Sequence, residues 1–367
     1  MFENLSERFT GIVKRLRGGG CEHLEIETYT FDVLPKDVEK PGIVDKNGKI
    51  RDLSKIVKDI DGEALSAAGL AKIKKANIDK LPLVKGNPRL GPCVARPSNF
   101  IAIGLNYAEH AAEAGMKLPP EPIIFNKAVS CICGPNDNTI TPKDSSKLDY
   151  EVELGIVIGK RASYLKKEQA MSAVAGYFLA NDVSERVFQI ERAGQWTKGK
   201  GCETFGPIGP WVATKDEIKD PQALNIWLKV NGEYRQKGNT KTMIFNVAEI
   251  VWWCSQYFIM EPGDIIVTGT PSGVALGMKP PKFLNVGDVV ELGCGTGRVA
   301  IPIARDGLRV TGVDYSAAML DVARASVGIS RQGMQAPDRI QNTAANSPNR
   351  VVWRRKSGSS VSISSAR

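Results

Sequence analysis

Two glutamates, Glu151 and Glu153, flank Val152 in the stretch Leu148-Asp149-Tyr150-Glu151-Val152-Glu153-Leu154. In an extended strand alternate side chains share a face, so both carboxylates fall on one side and Val152 and Leu154 on the other. The next residues, Gly155-Ile156-Val157-Ile158-Gly159, are apolar and β-branched. The strand is therefore expected to run into a core, where unpaired carboxylates are costly and a cation is required. A third carboxylate, Asp182, closes another apolar run, Ala175-Gly176-Tyr177-Phe178-Leu179-Ala180-Asn181. Three carboxylates without a nitrogen ligand suit Mg²⁺ or Mn²⁺. Alternating charge on a half-exposed strand is the competing reading, and the spacing alone leaves both open.

His110 and Glu113 lie three residues apart, which makes them neighbours on a helix. A carboxylate so placed can orient an imidazole that takes a proton from water, although a surface helix pair has the same spacing. Lys200, among the glycines of Lys198-Gly199-Lys200-Gly201, could hold an anionic substrate or sit in a solvated loop. In Gly269-Thr270-Pro271-Ser272-Gly273 the Thr270 hydroxyl and the amides could face a carboxylate, but alone the segment is a turn.

The elements that must position these groups are mostly strands. Apolar and β-branched runs at Phe100 to Leu105, Ile123 to Phe125, Glu151 to Ile158, Ala175 to Asn181, Ile226 to Val230 and Ile265 to Thr268 are separated by Gly and Pro turns. Helical periodicity appears at Tyr107 to Ala114, Lys167 to Ala173 and Val247 to Tyr257, and weakly near Gly62 to Ala76. The expected class is a mixed, strand-rich α+β domain. Residues 1–17 have apolar positions at helical spacing, and Gly18-Gly19-Gly20 stops them.

With 367 residues, 42% of them hydrophobic and 24% charged, the chain has the composition of a soluble globular protein able to bury a sizeable core. No apolar run has transmembrane length and no secretory signal opens the chain, so the cytoplasm is expected and no membrane partner. Seven cysteines, an odd number without CxxC spacing, indicate reduced thiols and argue against zinc; Cys131 and Cys133 are expected as core filler. The net charge of +9 sits at the ends: residues 1–20 carry +2 and residues 328–367 carry +6. A body near neutrality without a basic stripe excludes nucleic-acid binding as the main function.

Taken in order, these segments resemble the fumarylacetoacetate hydrolase family. The matching words are Arg96-Pro97, Gly104-Leu105-Asn106-Tyr107, Leu148 to Leu154, Asn181-Asp182-Val183-Ser184-Glu185-Arg186, Gly199-Lys200-Gly201, Thr204-Phe205-Gly206-Pro207 and Gly269 to Val274. They cover about residues 80–293. The resemblance implies an α+β fold built on a mixed β-roll or β-sandwich, with Mg²⁺ or Mn²⁺ held by Glu151, Glu153 and Asp182. It also implies a lid carrying a water-activating His110–Glu113 pair, Lys200 at the enolate, and Gln189, Thr270 and Lys127 on a small anionic substrate. Members form homodimers. The implied chemistry is hydrolysis of a C–C bond in an acylpyruvate or fumarylacetoacetate type of oxo-acid through an enolate. Lyase, decarboxylase and isomerase reactions of the ureidoglycolate or 2-hydroxyhepta-2,4-diene-1,7-dioate type use the same intermediate.

The two ends depart from that family. Residues 1–17 resemble the start of signal-recognition-particle GTPases, but no GxxxxGK[ST] loop follows. Residues 289–324, with Gly293-Cys294-Gly295-Thr296-Gly297 and Asp314, resemble the first βαβ unit of S-adenosylmethionine methyltransferases, a fragment too short for a complete cofactor cleft. The expected plan is therefore a mosaic: a foreign helical leader at 1–20, a small α/β region at 21–78, a catalytic domain at 79–293, a truncated methyltransferase-like fragment at 294–327 and a disordered basic tail at 328–367. A seam falls at Val290-Glu291-Leu292-Gly293. The alternative functions are an inactive mosaic and, less in keeping with the fragment's length, a methyltransferase.

Overall fold

A computed structural model describes residues 25–30, 39–45, 48–86, 88–293, 310–313, 350–354 and 360–364. Strands β1 (Glu25–Thr30), β2 (Lys40–Val44), β3 (Ile50–Asp52) and β4 (Arg89–Leu90) come first, followed by β5 (Phe100–Gly104), β6 (Ile123–Asn126), β7 (Ile132–Cys133) and β8 (Leu148–Asp149). Next are β9 (Val152–Ile158), β10 (Val174–Asn181), β11 (Ser184–Glu185), β12 (Gly206–Thr214), β13 (Asn225–Val230), β14 (Glu233–Asn239), β15 (Ile265–Val267) and β16 (Val290–Leu292). A large mixed sheet runs in the order β3-β2-β1-β12-β10-β9-β15-β5-β6, antiparallel except where β15 and β5 lie parallel, with β4 and β7 attached beside it. A second sheet orders β14-β13-β16. This strand-rich α+β architecture is the expected fold class.

The centre of the large sheet is buried on both faces, which explains the continuous apolar run of β9. One face carries Phe100, Ala102, Val157, Phe178, Ala180, Ile265 and Val267; the other carries Ile101, Ile103, Leu154, Ile156, Ile158, Tyr177 and Ile266. Gly155 faces Phe178 across the ladder, and a Cβ there would lie 2.3 Å from the ring, so glycine makes room for the aromatic. The second face is covered by α5 (Val247–Tyr257), which buries Val247, Ile250, Val251 and Cys254 at helical spacing. Asn246 and Glu249 cap its start reciprocally.

The first face is covered in part by the segment around α1 (Gly62–Leu65) and α2 (Ala67–Lys74), whose Leu65 and Ile73 join Ile43, Leu53 and Ile60 in the same core as Val157 and Phe178. Residues on both sides of the boundary expected near residue 78 contribute to this core. The single weak helix expected there is two helices: Asp61 caps the first, and the Ser66 hydroxyl accepts from the Gly69 amide to start the second. The turn at Lys167–Ala173 is 3₁₀ rather than α-helical.

Strands β12 and β14 escaped the apolar pattern, the first because of its Gly-Pro content and the second because it is polar. Asn231 and Gly232, both at positive φ, make the tight turn that pairs β14 with β13. The expected leader at 1–20 and Asp314 lie outside the described residues. Within the expected tail, Arg350–Arg354 and Ser360–Ser364 are strands in a small sheet with Val310–Val313.

Candidate active site

Glu151 immediately precedes β9, Glu153 lies within it, and Asp182 immediately follows β10, the antiparallel neighbour of β9. The Asp182 amide donates to the Glu151 carbonyl at 2.8 Å and the Glu151 amide to Asn181 Oδ1 at 2.9 Å, so backbone pairing brings the three carboxylates together. Their oxygens lie within 4.8 Å of one another, and all three residues are buried. The competing reading of a half-exposed charged strand does not describe this cluster.

Cations converge on it from elsewhere in the chain. Lys200, the last residue of α4 (Thr197–Lys200; α3 is Ala108–Glu113), places Nζ 2.8 Å from Glu151 Oε2 and 2.7 Å from Asp182 Oδ2. Lys127, just after β6, donates to Asp182 Oδ1 at 2.5 Å and to the Lys200 carbonyl. Arg186 bridges Asp149 Oδ2 at 2.8 Å and Glu151 Oε1 at 2.7 Å, and also donates to Gln189 Oε1 at 2.9 Å. Four buried acids, Asp149, Glu151, Glu153 and Asp182, thus face three buried bases.

The excess negative charge falls on Glu153. Burial, then the charges of Asp182 and Glu151, push its carboxyl well above the usual range, and the Gly269 amide donates to Oε2 at 2.6 Å. Burial also opposes ionisation of Glu151, but Lys200 and Arg186 prevail and hold it below the usual range. Lys200 is raised above an ordinary lysine because Asp182 and Glu151 outweigh its burial. A cluster of hard oxygen donors with one acid in excess of its bases fits a divalent Mg²⁺ or Mn²⁺ ion.

His110 Nδ1 lies 3.1 Å from Glu113 Oε2 on α3, the geometry expected from the spacing. Glu113 also accepts from the Gly273 amide at 3.0 and 3.2 Å, and a Cβ on Gly277 would lie 2.3 Å from the Glu113 Cδ and Cγ. The carboxylate is therefore clasped between its helix and the 273–277 loop. His110 is close enough to Glu151 for a charge on the ring to favour that carboxylate.

The turn at 269–273 is held from below. Gln236 accepts from the Val152 amide at 2.9 Å and donates to Thr270 Oγ1 at 2.7 Å and to the Pro271 carbonyl at 2.8 Å. Thr270 donates in turn to the Val152 carbonyl at 2.9 Å. Asp149 accepts from the Ala275 and Leu276 amides at 2.8 and 3.1 Å, and Asn106 ties Phe245 to Thr268. Sequence reasoning missed Asp149, Arg186 and Gln236 as members of the site. The Asp149 and Arg186 words were visible in the matching runs, but their pairing across the fold was not. Lys127 and Thr270, which the resemblance places on the substrate, have their polar atoms bonded within the protein, and Gln189 accepts from Arg186.

A mixed α+β sheet with a buried acidic cluster and a clasped His–Glu pair defines a class of small-molecule enzymes, and residues 99–304 match the fumarylacetoacetate hydrolase C-terminal family. The chain belongs to that family. A Burkholderia ambifaria protein described only as a candidate hydrolase is 56% identical over 260 residues, spanning 71% of this chain and 92% of that protein. Among solved structures, fumarylacetoacetate hydrolase from the psychrophile Exiguobacterium antarcticum is similar with a TM-score of 0.62 at 33% identity, covering 74% of this chain and 95% of its own. A Mycobacterium abscessus protein described as a probable 2-hydroxyhepta-2,4-diene-1,7-dioate isomerase gives 0.62 at 32% identity, covering 74% and 94%. Residues 289–347 also match a methyltransferase domain family. Where the two matches overlap, β16 pairs with β13 in the sheet of the hydrolase-like fold. No described helix is long and apolar enough to cross a membrane.

Proposed function

We propose that this chain is a divalent-metal-dependent enzyme that cleaves a C–C bond of a small 2-oxo acid, an acylpyruvate in type, by hydrolysis through an enolate. The observation that carries this reading is the buried group of Glu151, Glu153 and Asp182 with oxygens within 4.8 Å. These residues would hold Mg²⁺ or Mn²⁺, which when bound polarises the oxo-acid's oxygens as a Lewis acid. His110 takes a proton from water; with Nδ1 engaged by Glu113, Nε2 is the accepting nitrogen. The hydroxide adds to the distal carbonyl, the C–C bond breaks to a carboxylic acid and the pyruvate enolate, and the proton held on His110 returns to the enolate carbon. Lys200, buried and held cationic by Glu151 and Asp182, stabilises the enolate oxygen.

Lys127 acts in this reading as the fixed counter-charge of Asp182, and Thr270 and Gln189 order the walls of the substrate site. The clasped dyad favours hydrolysis, since it is built to activate a water. The same dyad can move a proton between carbons of an unsaturated diacid, the reaction class of the probable isomerase from Mycobacterium abscessus, and product analysis separates the two. We place the enzyme in the cytoplasm as a homodimer, which light scattering on purified protein checks.

The test is metal content and turnover together. Wild-type protein equilibrated with Mg²⁺ or Mn²⁺ should retain ion after dialysis and cleave at least one member of an acylpyruvate panel, whereas Glu151→Ala should lose both. Unchanged metal content and activity in Glu151→Ala would sink the assignment.

A further inference from the structure

Gln236 is a fully buried polar side chain on an otherwise apolar face of the second sheet. Ile226, Leu228 and Val230 of β13 line that face and pack in one cluster with Val152. Lys229 takes the opposite face, with Nζ 4.4 Å from the Trp227 ring and 4.8 Å from the Tyr234 ring. Along β14, Tyr234 pairs with Lys229 and Gln236 with Leu228, so Arg235 is the extra residue of a β-bulge. In a regular strand Tyr234 and Gln236, two residues apart, would share a face. The bulge turns Gln236 to the inner face instead, and bulges that re-aim a side chain recur beside active sites.

Both ends of the Gln236 amide are bonded. Oε1 accepts from the Val152 amide at 2.9 Å, and Nε2 donates to Thr270 Oγ1 at 2.7 Å and to the Pro271 carbonyl at 2.8 Å. Thr270 Oγ1 donates back to the Val152 carbonyl at 2.9 Å, which closes a ring of three residues. Val152 separates Glu151 from Glu153, and β15 pairs with β9 only at Gly155, Ile156 and Val157, so the ring stands where strand pairing has ended. The turn it fastens reaches both functional groups: the Gly269 amide donates to Glu153 Oε2 at 2.6 Å and the Gly273 amide to Glu113 Oε1 at 3.0 Å. Thr270 and Pro271, the two residues that Gln236 holds, lie between those donors. Strand β14 also limits the turn by contact, since a Cβ on Gly238 would lie 2.6 Å from Pro271 Cβ and one on Gly273 2.0 Å from the Arg235 carbonyl.

We propose that Gln236 is a positioning residue for hydrolysis: by fastening the 269–273 turn to Val152, it holds the Glu113 clasp, and with it His110, at one distance from the metal-binding carboxylates. The inference rests on the hydrolytic reading above. Gln236 bonds to neither the carboxylates nor the dyad and acts through the Gly273 amide on Glu113. A displacement of about 1 Å between reacting groups costs about 100-fold in rate. Loosening the turn is therefore read in turnover, while the β9–β10 ladder keeps the metal-binding carboxylates together.

Steady-state kinetics on an acylpyruvate that wild-type protein cleaves, with Mg²⁺ calorimetry on the same samples, tests this. Gln236→Leu should lower kcat about 100-fold and leave KM and the Mg²⁺ Kd within about 3-fold of wild type. Gly238→Ala keeps Gln236 but presses on Pro271; it should lower kcat about 10-fold in the same pattern, and it serves where the leucine variant fails to fold. In a Glu113→Ala background Gln236→Leu should cost kcat less than about 3-fold, because the group it positions is gone. Without any substrate, hydrogen exchange at the Gly269 and Gly273 amides should quicken about 10-fold or more in Gln236→Leu while the β10 amides keep their wild-type rates. A kcat within about 3-fold of wild type in any variant that folds, or an equal fold loss with and without Glu113, overturns the positioning role alone. Faster exchange shared by β10 also overturns it, because Gln236 would then support the fold as a whole. If wild-type protein cleaves no acylpyruvate, the hydrolytic reading and the positioning role fall together.

Discussion

Lys200→Met separates the electrostatics of the acidic cluster from its chemistry without requiring a substrate. The lysine Nζ lies 2.8 Å from Glu151 and 2.7 Å from Asp182 with both side chains almost fully enclosed. Opposite charges at such separations attract by about 6 kcal/mol at the effective dielectric that suits protein sites. Removing one partner of a buried pair typically destabilises by about 3–5 kcal/mol because the remaining charge is left uncompensated. Lys127 still serves Asp182 and Arg186 still serves Glu151, so the lower end, about 3 kcal/mol, applies. For a domain of this size that corresponds to a fall in melting midpoint of roughly 6–12 °C in chelator-treated protein.

The same substitution removes a cation that competes for the carboxylates, so Mg²⁺ should bind the variant about 10-fold or more tighter than wild type. Saturating Mg²⁺ should then restore most of the lost midpoint, since about 100 Kd of ligand adds roughly 2.7 kcal/mol. Differential scanning calorimetry with and without Mg²⁺ reads both effects. A chelated variant that melts within about 2 °C of wild type, or gains no more from Mg²⁺ than wild type does, refutes the counter-charge argument.

Two further substitutions probe other elements. Gly277→Ala puts a methyl 2.3 Å from the Glu113 Cδ and should displace that carboxylate from His110 and Gly273, lowering kcat by about 100-fold with little change in metal content; unchanged turnover would dissolve the clasp. Asn246→Ala removes the capping box of α5 and should lower stability by about 1 kcal/mol in urea denaturation, leaving metal binding unaltered.

Much of the acidic cluster was legible because it depends on local periodicity. Glu151 and Glu153 share a face whenever the segment is extended, and the apolar residues after them announce burial. The span of α5 was legible for the same reason, with its buried stripe at Val247, Ile250, Val251 and Cys254. What could not be read are contacts between residues far apart in the chain. Lys127 reaches Asp182 across 55 residues, and Val152 is bound by Gln236 across 84. Nothing about a polar strand such as β14 signals that one of its residues, Gln236, supports the turn at 269–273. The Asn231-Gly232 turn was an available cue for β14, whereas the bulge at Arg235 follows only from pairing with β13. The division at Ser66 reflects a cap competing successfully with helix continuation, which periodicity alone does not weigh.

The partnership of β9 with β10 limits how this acidic cluster can change. Ala180 pairs with Glu153 and Asn181 with Val152, so the distance of Asp182 from the glutamates is written in backbone hydrogen bonds rather than in side-chain packing. A single deletion at Val152 would put Glu151 and Glu153 on opposite faces, and one within β10 would move Asp182 out of register, breaking the acidic cluster in one step. The centre therefore has no gradually weakened versions along that axis. Inheritance of the ladder is all or nothing, whereas the turns at 269–277 and the α3 segment can be exchanged with the ladder intact.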